Sequence, residues 1–343
     1  VAGVTLQTIA DKVGVSRMTV SNAFSRPDQL SPALREKIFA VADSLGYTGP
    51  DPAARALKRG STGAFGLLIP SSLPFAFQTQ VRTEFLSAVA AELASTGLAM
   101  TLLPSTGNEA GTAEVVPARD VAVDGVIVYG CPPGSEAVKC VRARGIPLVY
   151  VDQEPVETIP SVNLDNYGGA YSAASHLTDL GHRDVGILTF RTDARSLPRY
   201  TESERERGWR DALAAAGVTP VEATVLGDSS DQGLEVARRM LEENPGLTAV
   251  LCYSDLIGES VYAAAAATGR RIPFDLSVVG FDDSPTARLL SPPLTTVHQD
   301  VFAKGTVAVA AMTTAVRRQR SPGGDKHVIL PAPLVVRGST SAP

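Results

Sequence analysis

Cysteine, tryptophan and histidine are scarce in this 343-residue chain, which has three, one and four of them. Cys131, Cys140 and Cys252 lie in apolar stretches without paired metal-ligand spacing. They read as buried or semi-buried thiols, which excludes a disulfide framework. His176, His182, His298 and His327 are too dispersed to mark a metal site, and His182 in LGHRDV reads as a link between a helix and its next strand. No apolar run reaches the length of a bilayer span, so no membrane helix is expected. GxSxG, GxxxxGKS/T and HExxH are all missing, and Gly66 and Gly168–Gly169 lack the dinucleotide fingerprint. Those absences weigh against the corresponding hydrolases, nucleotide-binding loops and zinc proteases; no cofactor or metal is expected. There is no polar low-complexity tract, and 44% of residues are hydrophobic against 20% charged, so the chain should be globular with room for one small and one large domain. The ending VVRGSTSAP carries no apolar heptad repeat, so a coiled-coil tetramerisation element is not expected. The opening VAGVTLQTIADKVG is a helix approach with charges soon after, not a basic segment followed by a hydrophobic stretch. A cytoplasmic location is the expectation.

The net charge of −5 is unevenly spread. Residues 1–60 hold eight Lys or Arg against five acids, a balance of +3 that leaves −8 on the remainder. A polyanion would favour the first sixty residues and be weakly repelled by the rest.

Those sixty residues read as three short helices and a linker. TLQTIADKV places Leu6, Ile9, Ala10 and Val13 on one helical face, with Thr5 as N-cap and Gly14 as the terminator. Ser16 caps a second helix, RMTVSNAF, whose Val20 and Ala23 face inward. A third runs from Ser31–Pro32 to Gly46. Two helices joined by a tight glycine-containing turn are the physical content of a helix-turn-helix, although a small ligand-free bundle would share this pattern. The exposed face of the second helix speaks for DNA. Arg17 suits guanine, Asn22 adenine and Met18 a thymine methyl. Thr5, Ser16, Thr19 and Ser21, with the free N–H groups of the helix start, suit phosphates and base edges. PDPAARALKRG, residues 50–60, is too short to be a stable helix alone and reads as a hinge, with an ordinary interdomain helix as the plainer alternative.

From about residue 62 short apolar runs alternate with helices. AFGLLIP, LAMTLLP, GVIVYG and IPLVYVD form one set of buried parallel strands. DVGILTF, TPVEATVL, LTAVLCYS and LSVVGFDD form another. Helices are expected from about Glu84 to Ser95 and over 166–180, 205–216, 231–243 and 256–268. Two βα series imply two Rossmann-like α/β lobes. Ligands of such sheets sit beyond the C-terminal strand ends, where Asp152, Ser254–Asp255 and Asp282–Asp283 fall, with Asn163 and Asp165 at the exit from the first lobe. One such acid can simply cap a helix; several converging on one cleft need a polar partner. The run ESERER reads as a charged helix approach with Glu202 and Glu204 solvated.

The string VTLQTIADKVGVSRMTVSNAF, followed by GYTGPDPAARALKRG, IPLVYVD, HLTDLGHRDVGILTF, RERGWRDAL and DLSVVGFDDSP…PPLTTVHQD, resembles the LacI/GalR family of bacterial transcription regulators over almost the whole chain. The resemblance implies a DNA-binding headpiece (1–49), a hinge helix (50–61) and an effector domain of the periplasmic-binding-protein type (62–343). The first lobe would hold about 62–163 and 295–326, the second about 164–294 and 327–340. It implies a homodimer on near-palindromic double-stranded operator DNA, most often repressing, with Arg17 and Met18 at the positions that contribute most to operator choice. The hinge residues Arg55 and Leu57 would reach DNA, Leu57 as a minor-groove wedge. A small-molecule effector, sugar-like by resemblance, would be bound by Phe77, Asp152, Arg205, Ser254 and Asp282. Three departures stand out. The stretch between Tyr47 and Ala54 carries an extra residue relative to the common family pattern, which bears on the register of the hinge wedge. Asn22 replaces an arginine common in relatives, and SDLIGES has Ser254 where many sugar-responsive members have asparagine. The competing reading is a soluble solute-binding protein or a sugar-processing enzyme with an incidental helical headpiece.

Overall fold

Helix caps and hydrophobic spacing lay out the N-terminal sixty residues as expected in the computed structural model, which describes residues 3–70, 77, 79–105, 117–131, 134–191, 199–227, 230–318 and 327–343. The first helix, α1 (Leu6–Val13), starts with a reciprocal box between Thr5 and Thr8. It stops at Gly14, whose φ of 81° a side chain would resist. Ser16 Oγ accepts the Thr19 N–H at 3.0 Å and starts α2 (Arg17–Ser25). Ser31 and Pro32 start α3 (Pro32–Ser44). Ile9, Val13, Val20, Ala23 and Ile38 close a small core, flanked by the edge-to-face pairs Phe24–Phe39 and Phe24–Tyr47. Helix α4 (Pro52–Arg59) follows, capped by Asp51 and Gly60. The chain divides into two compact units, Val1–Gly63 and Ala64–Pro343.

The second unit contains two six-stranded sheets. The first has the order β11-β5-β4-β3-β1-β2, from β1 (Ala64–Pro70), β2 (Ala99–Ser105), β3 (Gly125–Tyr129), β4 (Leu148–Val151), β5 (Ser161–Leu164) and β11 (His327–Leu330), all parallel. The second has the order β12-β10-β9-β8-β6-β7, from β6 (Val185–Arg191), β7 (Val221–Leu226), β8 (Ala249–Cys252), β9 (Ser277–Asp282), β10 (Thr295–His298) and β12 (Leu334–Val335), with only β12 antiparallel. Helices α5 (Gln80–Ser95), α6 (Glu136–Ala143) and α12 (Val301–Arg318) accompany the first sheet. Helices α7 (Asn166–Asp179), α8 (Tyr200–Ala215), α9 (Ser230–Glu243), α10 (Asp255–Ala267) and α11 (Pro285–Leu289) accompany the second.

The lobe division expected from the sequence needs two corrections. Thr295–His298, assigned to the first lobe, pairs with β9 of the second; His327–Leu330, assigned to the second, pairs with β5 of the first. The chain therefore passes between the lobes after β5, after β10 and after β11. Helices α5 and α8 also begin four to five residues before the starts expected at Glu84 and Arg205. Glu202 is buried rather than solvated: its carboxylate accepts the Arg199 N–H at 2.8 Å and lies 3.8 Å from Arg191. His182 ties strand starts to the chain's last residues, meeting Thr248 Oγ1 at 2.8 Å and the Ser341 carbonyl at 2.8 Å. The glycine of RERGW has a packing reason. A Cβ on Gly208 would sit 2.4 Å from the Tyr167 carbonyl, so α7 and α8 could not approach as they do. Its neighbour Trp209 fills the core of the second lobe.

Candidate functional site

The first candidate site is the outer face of α2. Arg17 and Met18, at its start, are exposed, Met18 at 61%. Thr19, Ser21 and Asn22 are half-buried along the same helix, and Asn22 Nδ2 reaches Gln29 Oε1 at 3.4 Å. Thr5 and Ser16 use their hydroxyls to cap the starts of α1 and α2, accepting the Thr8 and Thr19 N–H groups. Burial pushes the Tyr47 phenol up, while Arg55 and Arg17 pull it down, so both guanidinium charges are felt at one edge of the unit. Leu57 on α4 is 88% exposed, and none of residues 53–59 of that helix is buried. An exposed leucine on a helix with no core of its own lacks a folded-state reason within this unit.

The second candidate site is a cavity of about 410 Å³ between the two lobes. Asp152, Arg205, Ser254 and Asp282, four of the five effector residues expected from the sequence, line it. Asp152 follows β4 of the first lobe and Asp282 ends β9 of the second. Among the described residues the only non-glycine positions with positive φ are Asp152 (54°), Asp282 (122°) and Asp283 (56°). Backbone strain of this kind costs about 1–3 kcal/mol per residue and collects where a side chain must be aimed.

The acids are held by a polar relay. Lys304 Nζ, on α12, donates to Asp152 Oδ2 at 2.7 Å and to Gln299 Oε1 at 2.9 Å. Gln299 Nε2 donates onward to Asp282 Oδ1 at 2.6 Å, and Arg205 Nη1 lies 3.6 Å from that same oxygen. Arg205 also donates to Asn166 Oδ1 at 2.9 Å and to the Tyr253 carbonyl at 2.6 Å, and it lies over the Phe281 ring. Burial pushes the Asp282 carboxyl up to about 7, against the pull of Arg205, with Asp255 adding to the rise. Asp152 Oδ1 is buried and has no hydrogen-bond partner, an acceptor facing a cavity that a donor could satisfy.

Other expected positions resolve differently. Phe77, of the LPFAF segment, is 56% exposed and is not part of the cavity lining; among the described residues the aromatic rings there are Tyr129, Phe190 and Tyr253. Ser254 Oγ caps α10 by accepting the Ile257 N–H at 3.3 Å. Asp255 lines the cavity, but its oxygens accept from Thr296 Oγ1 at 2.5 Å and the Ser284 N–H at 2.7 Å. Asp283 turns to Arg337, His298 and Arg288. Asp165 caps α7 and Asn163 braces Gln153. Sequence reasoning missed Arg82, Arg199 and Gln299, which line the cavity, and Lys304, which holds Asp152 beside it; TTVHQD carried a signal for Gln299, and nothing local marked Lys304. Among the described residues no group of His, Cys, Asp and Glu could hold a metal, and no helix is long and apolar enough to cross a membrane.

Residues 5–49 match the family model for bacterial regulatory proteins of the lacI family, and residues 174–340 match that for a periplasmic binding protein-like domain. The chain is 36% identical to the HTH-type transcriptional regulator IpsA of Corynebacterium glutamicum, over 88% of each protein. It belongs to the LacI family. Another family member, the regulator Rv3575c of Mycobacterium tuberculosis, is 37% identical over 88% of each chain. Among solved structures, the lac repressor dimer bound to operator and the anti-inducer ONPF matches with a TM-score of 0.81 and 25% identity, covering 99% of this chain and 100% of that one. The CelR–cellobiose complex matches with a TM-score of 0.71 and 27% identity, covering 98% and 99%. This LacI-family chain is thus a transcriptional regulator with a helix-turn-helix headpiece, and not an enzyme.

Proposed function

We propose that the protein binds near-palindromic operator DNA as a homodimer, represses from it, and releases or tightens its hold when a sugar-like effector closes the two lobes. The observation that carries the effector half is the meeting of Asp152, Arg205 and Asp282 in one interlobe cavity although they are far apart in sequence. Carboxylates and a guanidinium fixed in this way suit hydroxyl pairs, and Asp152 Oδ1 offers an acceptor in need of a donor. The chain crosses between lobes three times, so closure would move all three strands of connection together. The DNA half rests on the exposed start of α2, the local surplus of positive charge and the company of a lac repressor structure that is a dimer on operator. A repressor role follows relatives named as such, among them PurR of Photobacterium profundum. A DNA regulator of this kind works in the cytoplasm.

Selection of duplexes from a randomised pool by the full chain tests this reading. It should enrich near-palindromic sites, and binding to them should weaken by orders of magnitude from low to physiological salt as counterions are released. No enrichment, or binding insensitive to salt, would remove the operator from the account.

A further inference from the structure

Of the side chains that α2 offers to base edges, Asn22 depends most on which way round it is held. An amide has a donor end and an acceptor end, and turning it over exchanges them. Adenine in the major groove is met by an amide oxygen facing N6–H2 and an amide nitrogen facing N7. The overturned amide sets donor against donor and acceptor against acceptor. Gln29 supplies what decides between the two. Asn22 Nδ2 donates to Gln29 Oε1 at 3.4 Å, across the end of α2. The backbone puts Gln29 there. Arg26 closes α2 by donating its N–H to the Asn22 carbonyl at 2.7 Å, and a 3-10 turn, Pro27–Gln29, follows. The Gln29 N–H returns to the Arg26 carbonyl at 3.0 Å. Leu30 then packs against the headpiece core and Ser31 caps α3. Gln29 is thus fixed on both sides while its side chain stays exposed. Giving one N–H to Gln29 leaves Asn22 its second N–H and its oxygen, the pair that adenine needs.

We propose that Gln29 is a positioning residue for operator reading: by accepting from Asn22 Nδ2 it holds the amide in the orientation that selects adenine. It sets one base of each half-site without touching that base. This rests on the reading of the α2 face as the operator-binding surface. What position 29 must supply is an acceptor; the donor end of its own amide plays no part.

Selection of duplexes from a randomised pool by the full chain, and by its Asn22→Ala, Gln29→Ala and Gln29→Glu variants, tests it. The adenine preference that Asn22→Ala loses marks the position that Asn22 reads. The parent should favour adenine there by about 5–150-fold. Gln29→Ala should lose most of that preference and leave the other positions of the half-site as they were. Gln29→Glu keeps an acceptor and should retain the preference, while its charge weakens binding to every duplex alike. Position 29 is exposed, so both variants should fold. A full adenine preference in Gln29→Ala overturns the positioning role, and so does an equal loss at every position, which a merely structural residue would give. Loss of the preference in Gln29→Glu as well as in Gln29→Ala also overturns it, because the Gln29 donor would then be reading a base itself. An operator with no adenine preference that depends on Asn22 overturns it while the operator reading stands. Failure of the parent to enrich any site overturns both.

Discussion

Asp282→Asn should make the ligand-free protein more stable at alkaline pH. Burial pushes this carboxyl from 3.8 up to about 7, even with Arg205 at 3.6 Å and Gln299 donating to it. The folded protein therefore keeps a proton that the unfolded chain has released between pH 3.8 and about 7. Stability falls as pH rises through that window, and the whole penalty is present above it. The gap corresponds to about 4 kcal/mol, an upper bound on what removing the charge can return. Asparagine keeps an acceptor for Gln299 and Arg205, so the relay is not emptied. The chain has a single tryptophan, Trp209, buried in the core of the lobe that holds Asp282. Urea titration followed by its fluorescence thus reads the right part of the molecule. The variant should gain up to about 4 kcal/mol over the parent at pH 8.5 and under about 1 kcal/mol at pH 4.5. Asp255, pushed up to about 6 chiefly by burial, should leave both proteins a residual slope below that pH. A variant equally or less stable at pH 8.5 would refute the claim that Asp282 is held ionised at a cost.

Four further outcomes are expected. Arg17→Ala should cost about 1–3 kcal/mol on a selected operator and less on random duplex, measured by anisotropy; equal losses would make Arg17 a phosphate contact. Lys304→Met should destabilise by about 3–5 kcal/mol in urea titration, because it strands a buried carboxylate, and adding Asp152→Asn should recover most of the loss; no recovery would deny the pairing. Gly208→Ala should destabilise the second lobe by pushing α8 off the Tyr167 carbonyl, and an unchanged melting temperature would contradict the packing described. Sedimentation should find a dimer both free and on DNA, and a monomer in both states would end the palindrome argument.

Local signals made the headpiece legible. Thr5, Gly14 and Ser16 announce helix ends through hydrogen bonds to their own neighbours, and the structure uses each of them so. Strands buried on both faces are continuous apolar runs, which is why β1, β3, β4, β6, β8 and β9 stood out and why Asp152 and Asp282 could be placed at strand ends. What was hidden is what only tertiary contact creates. Lys304 looks like any solvated lysine on a helix until Asp152, 152 positions away, meets it. Phe190 and Tyr253 belong to apolar runs and give no sign of facing a cavity rather than a core. The exchange of β10 and β11 between lobes escaped because strands of four residues carry little pattern, and β11 is also an edge strand of alternating burial. Phe77 went the other way: an aromatic in the right neighbourhood of the sequence lies exposed outside the cavity lining.

The central claim is that one cleft controls one DNA-binding surface. Its most direct test is the anisotropy of a selected duplex, titrated with the full chain in the presence and absence of the tightest-binding of a panel of sugars and their glycosides, for the parent and for Asp282→Ala. Ligand should change the parent's operator affinity by about 5–150-fold. Asp282→Ala should bind the unliganded operator like the parent and ignore the ligand. A ligand that binds the parent without altering its operator affinity, or an Asp282→Ala protein that responds in full, would contradict it.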